Sequence, residues 1–260
     1  MRKEARTLNT IGVIEAGRDD RDPEAAVRIA RLASRRLGGK PLLEWLVRRV
    51  SEADHLQAVV VLLGDSAHDQ QLSTLVPSDV PVVHCAQPST AARLATVLQH
   101  HPAEAVVRVR VRDPFVDPHL IDTLIDTARR HPGCDYIGYR FPNGEPAMLS
   151  KVGMFAEWCH TDTLKKLLNN PSMPPCRGEL THYFETHPDA YRLRWVPIPA
   201  QLNRHDMRLS IGGQDDWDHA EQILDALGPD DLHWRRIAGL LHHQPRLRER
   251  MARLNQADAA

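Results

Sequence analysis

The chain has 260 residues, with 33 Lys and Arg against 34 Asp and Glu, and a formal charge of −1 lacks the electrostatic footprint of a dedicated nucleic-acid binder. Its 42% apolar and 26% charged residues describe a globular chain rather than a disordered one. No apolar run reaches the roughly 18 residues of a membrane span, and no apolar stretch follows the basic start MRKEARTLNT, so a cytoplasmic protein without a membrane partner is expected.

Thr10–Ala16 is short, rich in β-branched residues and closed by Gly17, which predicts a buried strand opening into a loop. The charged stretch 18–24 (RDDRDPE) reads as a solvated loop. From Pro41, the residues Leu42, Leu43, Leu46, Val47 and Val50 recur at helical spacing, with Glu44, Arg48 and Arg49 outside. Ala58–Leu63, Val80–Cys85 and Ala105–Val111 are apolar runs that predict buried strands, and Ala91–Gln99 is an amphipathic helix. Pro118–Arg130 reads as a helix with Asp117 as its N-cap and Pro118 at its first position. Further strands are predicted near Asp135–Tyr139, Pro146–Val152, Tyr191–Val196 and Met207–Ile211, with a turn at Pro142-Asn143-Gly144. A helix near Asp162–Leu168 ends at Asn169-Asn170-Pro171, and helices over Trp217–Leu227, Leu232–His242 and Pro245–Asn255 follow Gly212-Gly213.

Strands alternating with helices in this rhythm predict an α/β domain over residues 1–212, with a mostly parallel sheet covered on both faces. Residues 213–260 form a helical extension that packs on that domain or on a second copy in a homodimer. Trp45, Trp158, Trp217 and Trp234 are expected in the core. Cys85, Cys134, Cys159 and Cys176 make no CxxC pair, and the histidines show no HExxH spacing, so neither a disulfide framework nor a histidine-held zinc is expected.

The densest chemical candidate is Arg31-Leu-Ala-Ser-Arg-Arg-Leu-Gly-Gly-Lys40, between the first strand and the helix from Pro41. Cations, glycines that let backbone N–H groups approach a ligand, and an adjacent helix N-terminus describe a polyphosphate cradle. The other reading is an exposed basic helix closed by a Gly-Gly C-cap. Arg108, Arg110 and Arg112 alternate along a strand, either as an anion site or as side chains meeting solvent and acidic partners.

The segment resembles the opening motif ARxxSxRLPGKxL of the cytidylyltransferases grouped with spore coat polysaccharide and CMP-ketodeoxyoctonate synthetase enzymes. Ala30-Arg31, Ser34, Arg36-Leu37 and Gly39-Lys40 match in order, with Gly38 in place of the proline. Arg93, Arg108-Val109, Pro114-Phe-Val-Asp-Pro118, Asp135-Tyr136, Glu179-Leu-Thr181 and Arg208-Leu-Ser-Ile211 with Asp216 resemble later blocks of that family. The resemblance implies a GT-A-like nucleotide-diphospho-sugar transferase fold and transfer of CMP from CTP to a sugar or sugar acid, with release of pyrophosphate, in polysaccharide biosynthesis. It also implies nucleotide binding by Arg31, Ser34, Arg36, Gly39, Lys40 and Arg93, with Arg36 and Lys40 as the catalytic cations.

Such enzymes hold Mg²⁺ on two aspartates. Here Arg112 and Gly212 stand at those two positions, which leaves Asp113, one residue away, as the candidate metal ligand. Residues 17–29 form an insertion ahead of the motif, and if 25–31 is helical the cradle is displaced from the edge of the sheet. Three readings follow: a cytidylyltransferase, a non-catalytic descendant that binds a nucleotide or a protein, and a GT-A glycosyltransferase. The last would need an Asp-x-Asp metal motif, of which Asp20-Arg21-Asp22 has the spacing.

Overall fold

The structure is a computed structural model that describes residues 8–17, 23–169 and 179–259. Its first elements are β1 (Thr10–Glu15), α1 (Pro23–Ser34), the short strands β2 (Arg36–Leu37) and β3 (Lys40–Pro41), and α2 (Leu42–Val50). Next come β4 (Ala58–Leu63), α3 (Ala67–Leu72), β5 (Val82–His84), α4 (Thr90–His100), β6 (Ala105–Arg110) and α5 (Pro118–Arg130). They are followed by β7 (Tyr136–Arg140), β8 (Glu157–His160), α6 (Thr161–Asn169), α7 (Leu180–Thr186) and β9 (Leu193–Pro197). The last helices are α8 (Gln214–Leu227), α9 (Trp234–His242) and α10 (Pro245–Ala259). Asp20-Arg21-Asp22, most of the charged stretch read as a loop, Asn170-Pro171 and Cys176 lie outside the described residues.

Seven strands form one sheet in the order β5-β4-β1-β6-β8-β7-β9. β5, β4, β1 and β6 run parallel, β8 is antiparallel to both its neighbours, and β9 pairs parallel to β7. The apolar runs explain why. Every residue of β6 is buried, as is β4 from Val59 to Leu63, and strands buried on both faces need helices on both sides. Alternation sends Ile14, Val107 and Trp158 into a cluster with Leu46, Ile121, Trp217 and Ile237 on one face. Ile11, Val13 and Val106 point the other way, toward Leu94 of α4 and Phe184 of α7. The predicted core residues Trp45, Trp158, Trp217 and Trp234 are all buried. Among the described residues no helix is long and apolar enough to cross a membrane, and Cys85, Cys134 and Cys159 are free thiols.

Four local features depart from the sequence reading. The basic segment before Pro41 is a helix, as one of its two readings had it, but it runs on into a hairpin instead of closing on a Gly-Gly C-cap. In α1 the small residues Ala26, Ala30 and Ala33 recur at helical spacing and are buried. The hairpin pairs Arg36 with Pro41 and Leu37 with Lys40, and its two turn residues have positive φ, 58° at Gly38 and 80° at Gly39, the combination a type I′ turn demands. The strand expected over Pro146–Val152 is instead a single turn of 3₁₀ helix at Ala147–Leu149, and the strand that enters the sheet is β8, farther along. Met207–Ile211 is buried but forms no strand, because its N–H groups bond loop carbonyls: Leu209 donates to Lys151 at 2.8 Å and Ile211 to Arg112 at 2.7 Å.

Asp117 ties three helices together. Its Oδ1 accepts from the N–H groups of His119 and Leu120 and so caps α5, while its Oδ2 accepts from the Trp234 N–H at the start of α9 at 2.8 Å. Arg49 of α2 lies 3.8 Å from Oδ2 and donates to the Leu232 carbonyl at 2.6 Å. Since Asp117 is fully buried, replacing it with Ala removes the carboxylate beside the buried Arg49 guanidinium and leaves three N–H groups without their acceptor. The expected loss is about 3–5 kcal/mol by chemical denaturation, with a smaller loss for Asp117→Asn, which keeps one acceptor.

His219 of α8 is fully buried and neither ring nitrogen has a partner among the described residues. Burial, aided by Arg250 and opposed by Asp216, Asp215 and Asp218, lowers its pKa below the ordinary histidine value. The folded state therefore binds this proton less readily than the unfolded chain does. Stability should be full above about pH 6.5 and fall progressively below it. His233, also lowered mainly by burial, works in the same direction. Thermal midpoints of the parent should drop across that window, and His219→Leu should flatten the drop to the shallower His233 part.

Candidate active site

A cavity of about 590 Å³ opens at the carboxyl edge of β1 and β6, where ligands of open α/β sheets bind. Five elements build it. β1 ends in Glu15, with Gly17 two residues on; α1 supplies Arg28 and Arg31, with Arg35 just past its end; the start of α4 supplies Thr90 and Arg93. β6 and the residues after it supply Arg108, Arg110 and Arg112, and Gly212, Gly213 and Gln214 at the start of α8 close the far side beside Glu179. Seven arginines thus face two glutamates. A spacing of three residues puts Arg28 and Arg31 on one face of α1, and Arg35 follows directly after the helix.

Behind the cavity sits a buried charge network. Parity brings Glu15, Arg108, Glu157 and Tyr136 to the same face of the sheet, and Arg108 is directly opposite Glu157 in the β6–β8 register. The Arg108 guanidinium donates to Glu15 at 2.6 Å, to Glu157 at 2.5 Å and to Glu179 at 2.7 Å. Burial alone would push Arg108 down, but the three carboxylates outweigh it and hold its pKa well above the ordinary arginine value. Burial would likewise raise Glu179, yet Arg108, Arg110 and Arg112 pull its pKa down to about 2. The second oxygen of Glu157 accepts from the hydroxyls of Tyr136 at 2.9 Å and Thr181 at 2.5 Å.

Arg93 is less well served. It is 3% exposed, its Nη1 donates to the Gly17 carbonyl at 2.6 Å and lies 3.4 Å from Glu15, and its Nε and Nη2 have no partner among the described residues. Two unpaired donors on a buried guanidinium are costly unless an acceptor arrives from outside the protein. Arg93 lines the cavity.

The structure divides the residues implied by the resemblance. Arg31 and Arg93 line the cavity. Ser34, Arg36, Gly39 and Lys40 do not, because the motif folds as the end of a helix and a hairpin. The Ser34 hydroxyl donates back to the Ala30 carbonyl at 2.8 Å, and Arg36 reaches across its own turn to the Gly39 carbonyl at 2.6 Å. Asp113, the candidate metal ligand, is fully buried: Arg110 holds one carboxylate oxygen at 2.7 Å and the Ser210 hydroxyl the other. Arg112 and Gly212, at the positions of the expected aspartates, do line the cavity. Glu15, Arg28 and Arg35 were not singled out in the sequence, although the arginine spacing in α1 would have shown a cationic face had that segment been read as helical.

This donor set does not fit a divalent cation. Mg²⁺ is usually held by one or two carboxylates and several waters. Glu15 and Glu179 are each bound by two arginines, and Asp113 by Arg110 and Ser210. Asp216 accepts from Arg208 at 2.6 Å and from the Gly212 and Gly213 N–H groups at 2.8 and 3.1 Å. Among the described residues no group of three His, Cys, Asp or Glu side chains is placed to hold a metal ion.

Comparison with known proteins gives relatives consistent with the sequence motifs. The spore coat polysaccharide biosynthesis protein SpsF of Bacillus subtilis is 23% identical over 218 residues, covering 81% of this chain and 87% of the relative. A cytidylyltransferase from Leptospira borgpetersenii superposes with a TM-score of 0.76 at 15% identity, covering 93% of this chain and 96% of the other. A CMP:2-keto-3-deoxy-manno-octonic acid synthetase complexed with CTP superposes with a TM-score of 0.58 at 14% identity, covering 85% of this chain and 99% of the other. The MobA-like NTP transferase domain matches residues 33–190, more than half of the sequence, and the chain belongs to that family.

Proposed function

We propose that the arginine-lined cavity holds the triphosphate of CTP and that the chain transfers CMP to a sugar or sugar acid of surface-polysaccharide metabolism. The observation that carries the reading is Arg93, a buried cation with two unpaired donors in a cavity at the carboxyl edge of the sheet. The relatives named for spore coat polysaccharide biosynthesis and for cytidylyl transfer support the choice of base and acceptor class. In such a transfer the acceptor oxygen attacks the α-phosphorus and pyrophosphate leaves. Arg31, Arg35, Arg93 and Arg112 are the groups placed to fix phosphate oxygens, which guanidinium does bidentately.

One observation favours a second reading, a non-catalytic nucleotide binder of the same fold. Among the described residues, Glu15, Glu179, Asp113 and Asp216 beside the cavity are each already bound by arginine or by backbone N–H groups. Calorimetry with CTP, ATP and UTP, followed by pyrophosphate release with a panel of sugar acids, separates the two. CTP should bind tightest. Release upholds the transferase, binding without release upholds the second reading, and no binding of any nucleotide defeats both.

Arg93→Ala removes charge-assisted hydrogen bonds at the cavity, and CTP affinity should fall by about 1.5–3 kcal/mol, roughly 10- to 150-fold. The Arg36→Ala, Lys40→Ala double variant alters charges outside the cavity and should change affinity by less than about 1 kcal/mol. Titration calorimetry on both variants checks the contrast, and equal losses would return the phosphate site to the hairpin.

A further inference from the structure

We propose that the cavity takes its polyphosphate as the free polyanion, with guanidinium charge standing where a divalent cation would sit, so that Mg²⁺ competes with the protein for the ligand instead of joining it in the site. The inference rests on the reading of the cavity as a nucleotide phosphate site and adds the form in which the phosphate binds.

Charge balance supports it first. The cavity lining has seven arginines and two glutamates. Glu157 and Asp113, which lie behind the lining on Arg108 and Arg110, and Glu24, 3.5 Å from Arg28, are the further carboxylates to set against them among the described residues, which leaves seven arginines to five carboxylates. A metal-complexed polyphosphate has part of its charge cancelled and its oxygens occupied, whereas a free one presents both to the arginines. A dication in the same space would add to an existing positive excess.

The donor geometry supports it independently. A cation could reach Glu15 or Glu179 only by breaking contacts to Arg108, which is 4% exposed, and that would strand a buried guanidinium without its partners. Asp216 is committed to Arg208 and to the backbone at the start of α8. The site's unmet demand is for acceptors: Nε and Nη2 of Arg93, 3% exposed, have no partner among the described residues, and a metal ion cannot supply one. A phosphate oxygen can.

The test is titration calorimetry of the full chain with CTP and with inorganic tripolyphosphate, each in EDTA and then in excess Mg²⁺. Both ligands should bind in EDTA, and excess Mg²⁺ should weaken each by at least about tenfold, equivalent to 1.4 kcal/mol. Affinity that is unchanged or improved by Mg²⁺ overturns the proposal while leaving the nucleotide reading intact. Tripolyphosphate binding in EDTA without CTP binding upholds the free-polyanion site and removes the nucleotide reading. Failure of both ligands in EDTA overturns the proposal. A second readout needs no nucleotide: Mn²⁺ added to the protein should keep its free-ion EPR spectrum, and a stoichiometric bound signal would overturn the proposal.

Discussion

A guanidinium buried in the middle of a sheet must be neutralised, and Arg108 imposes that condition on this fold. It sits on a strand with every residue buried, so water cannot solvate it. Its partners come from three separate places: Glu15 on the neighbouring parallel strand, Glu157 on the antiparallel strand, and Glu179 just before α7. Meeting the charge therefore fixes the end of β1, the register of β8 and the seat of α7 together. Removing a single partner would leave charge uncompensated in a low-dielectric interior. The arrangement also determines what the adjoining cavity can bind, because carboxylates committed to Arg108 are not available to a cation.

The far wall of the cavity depends on a second chain of charges that reaches the last helix. Asp216 caps the Gly212 and Gly213 N–H groups and is gripped by Arg208, which is 5% exposed and donates onward to Asp258 of α10 at 2.7 Å. Lys151 lies 3.3 Å from the same Asp258 carboxylate. Packing and electrostatics agree here, since Met251 of α10 and Trp217 of α8 enter the same apolar cluster as the sheet. The C-terminal helices thus do more than cover apolar surface: they hold the start of α8 against the site.

How much of this was legible in the sequence follows from what each feature depends on. The apolar runs of β1, β4 and β6 and the capped helix α5 carry their own signal, because burial on two faces and a charged N-cap need no tertiary context. β8 has no such signal: EWCH is four residues long, and its glutamate belongs in a sheet only because Arg108 faces it. α1 was obscured because its buried face is alanine and its exposed face basic, a weak apolar pattern. The motif resemblance transferred positions but not conformations. Gly38 stands where the family has proline, yet its φ of 58° is closed to a proline ring, and an added Cβ would lie 2.9 Å from Leu224. The hairpin is therefore this chain's own geometry. Arg31 and Arg93 were reachable by resemblance, while Glu15, Arg28 and Arg35 required knowing that α1 is a helix beside the end of β1.

The two replaced positions, 112 and 212, are coupled in space. The Ile211 N–H donates to the Arg112 carbonyl at 2.7 Å, so the backbone next to Gly212 is pinned to the backbone of Arg112. A Cβ on Gly212 would stand 3.3 Å from Asp216 Oδ2 and 3.6 Å from Arg208. An aspartate there would crowd a second carboxylate against the one that caps α8, an arrangement that a cation between them would stabilise and that is repulsive without one. Gly212 removes that need, and Arg112 brings positive charge to the same place without a metal. Each replacement makes sense of the other. Residues that share a backbone contact do not contribute independently, so on the reading proposed above an arginine-type site is a property of the pair. With Asp216 anchored by Arg208 and Arg208 by the last helix, that property is fixed by the whole C-terminal half of the fold rather than by one side chain.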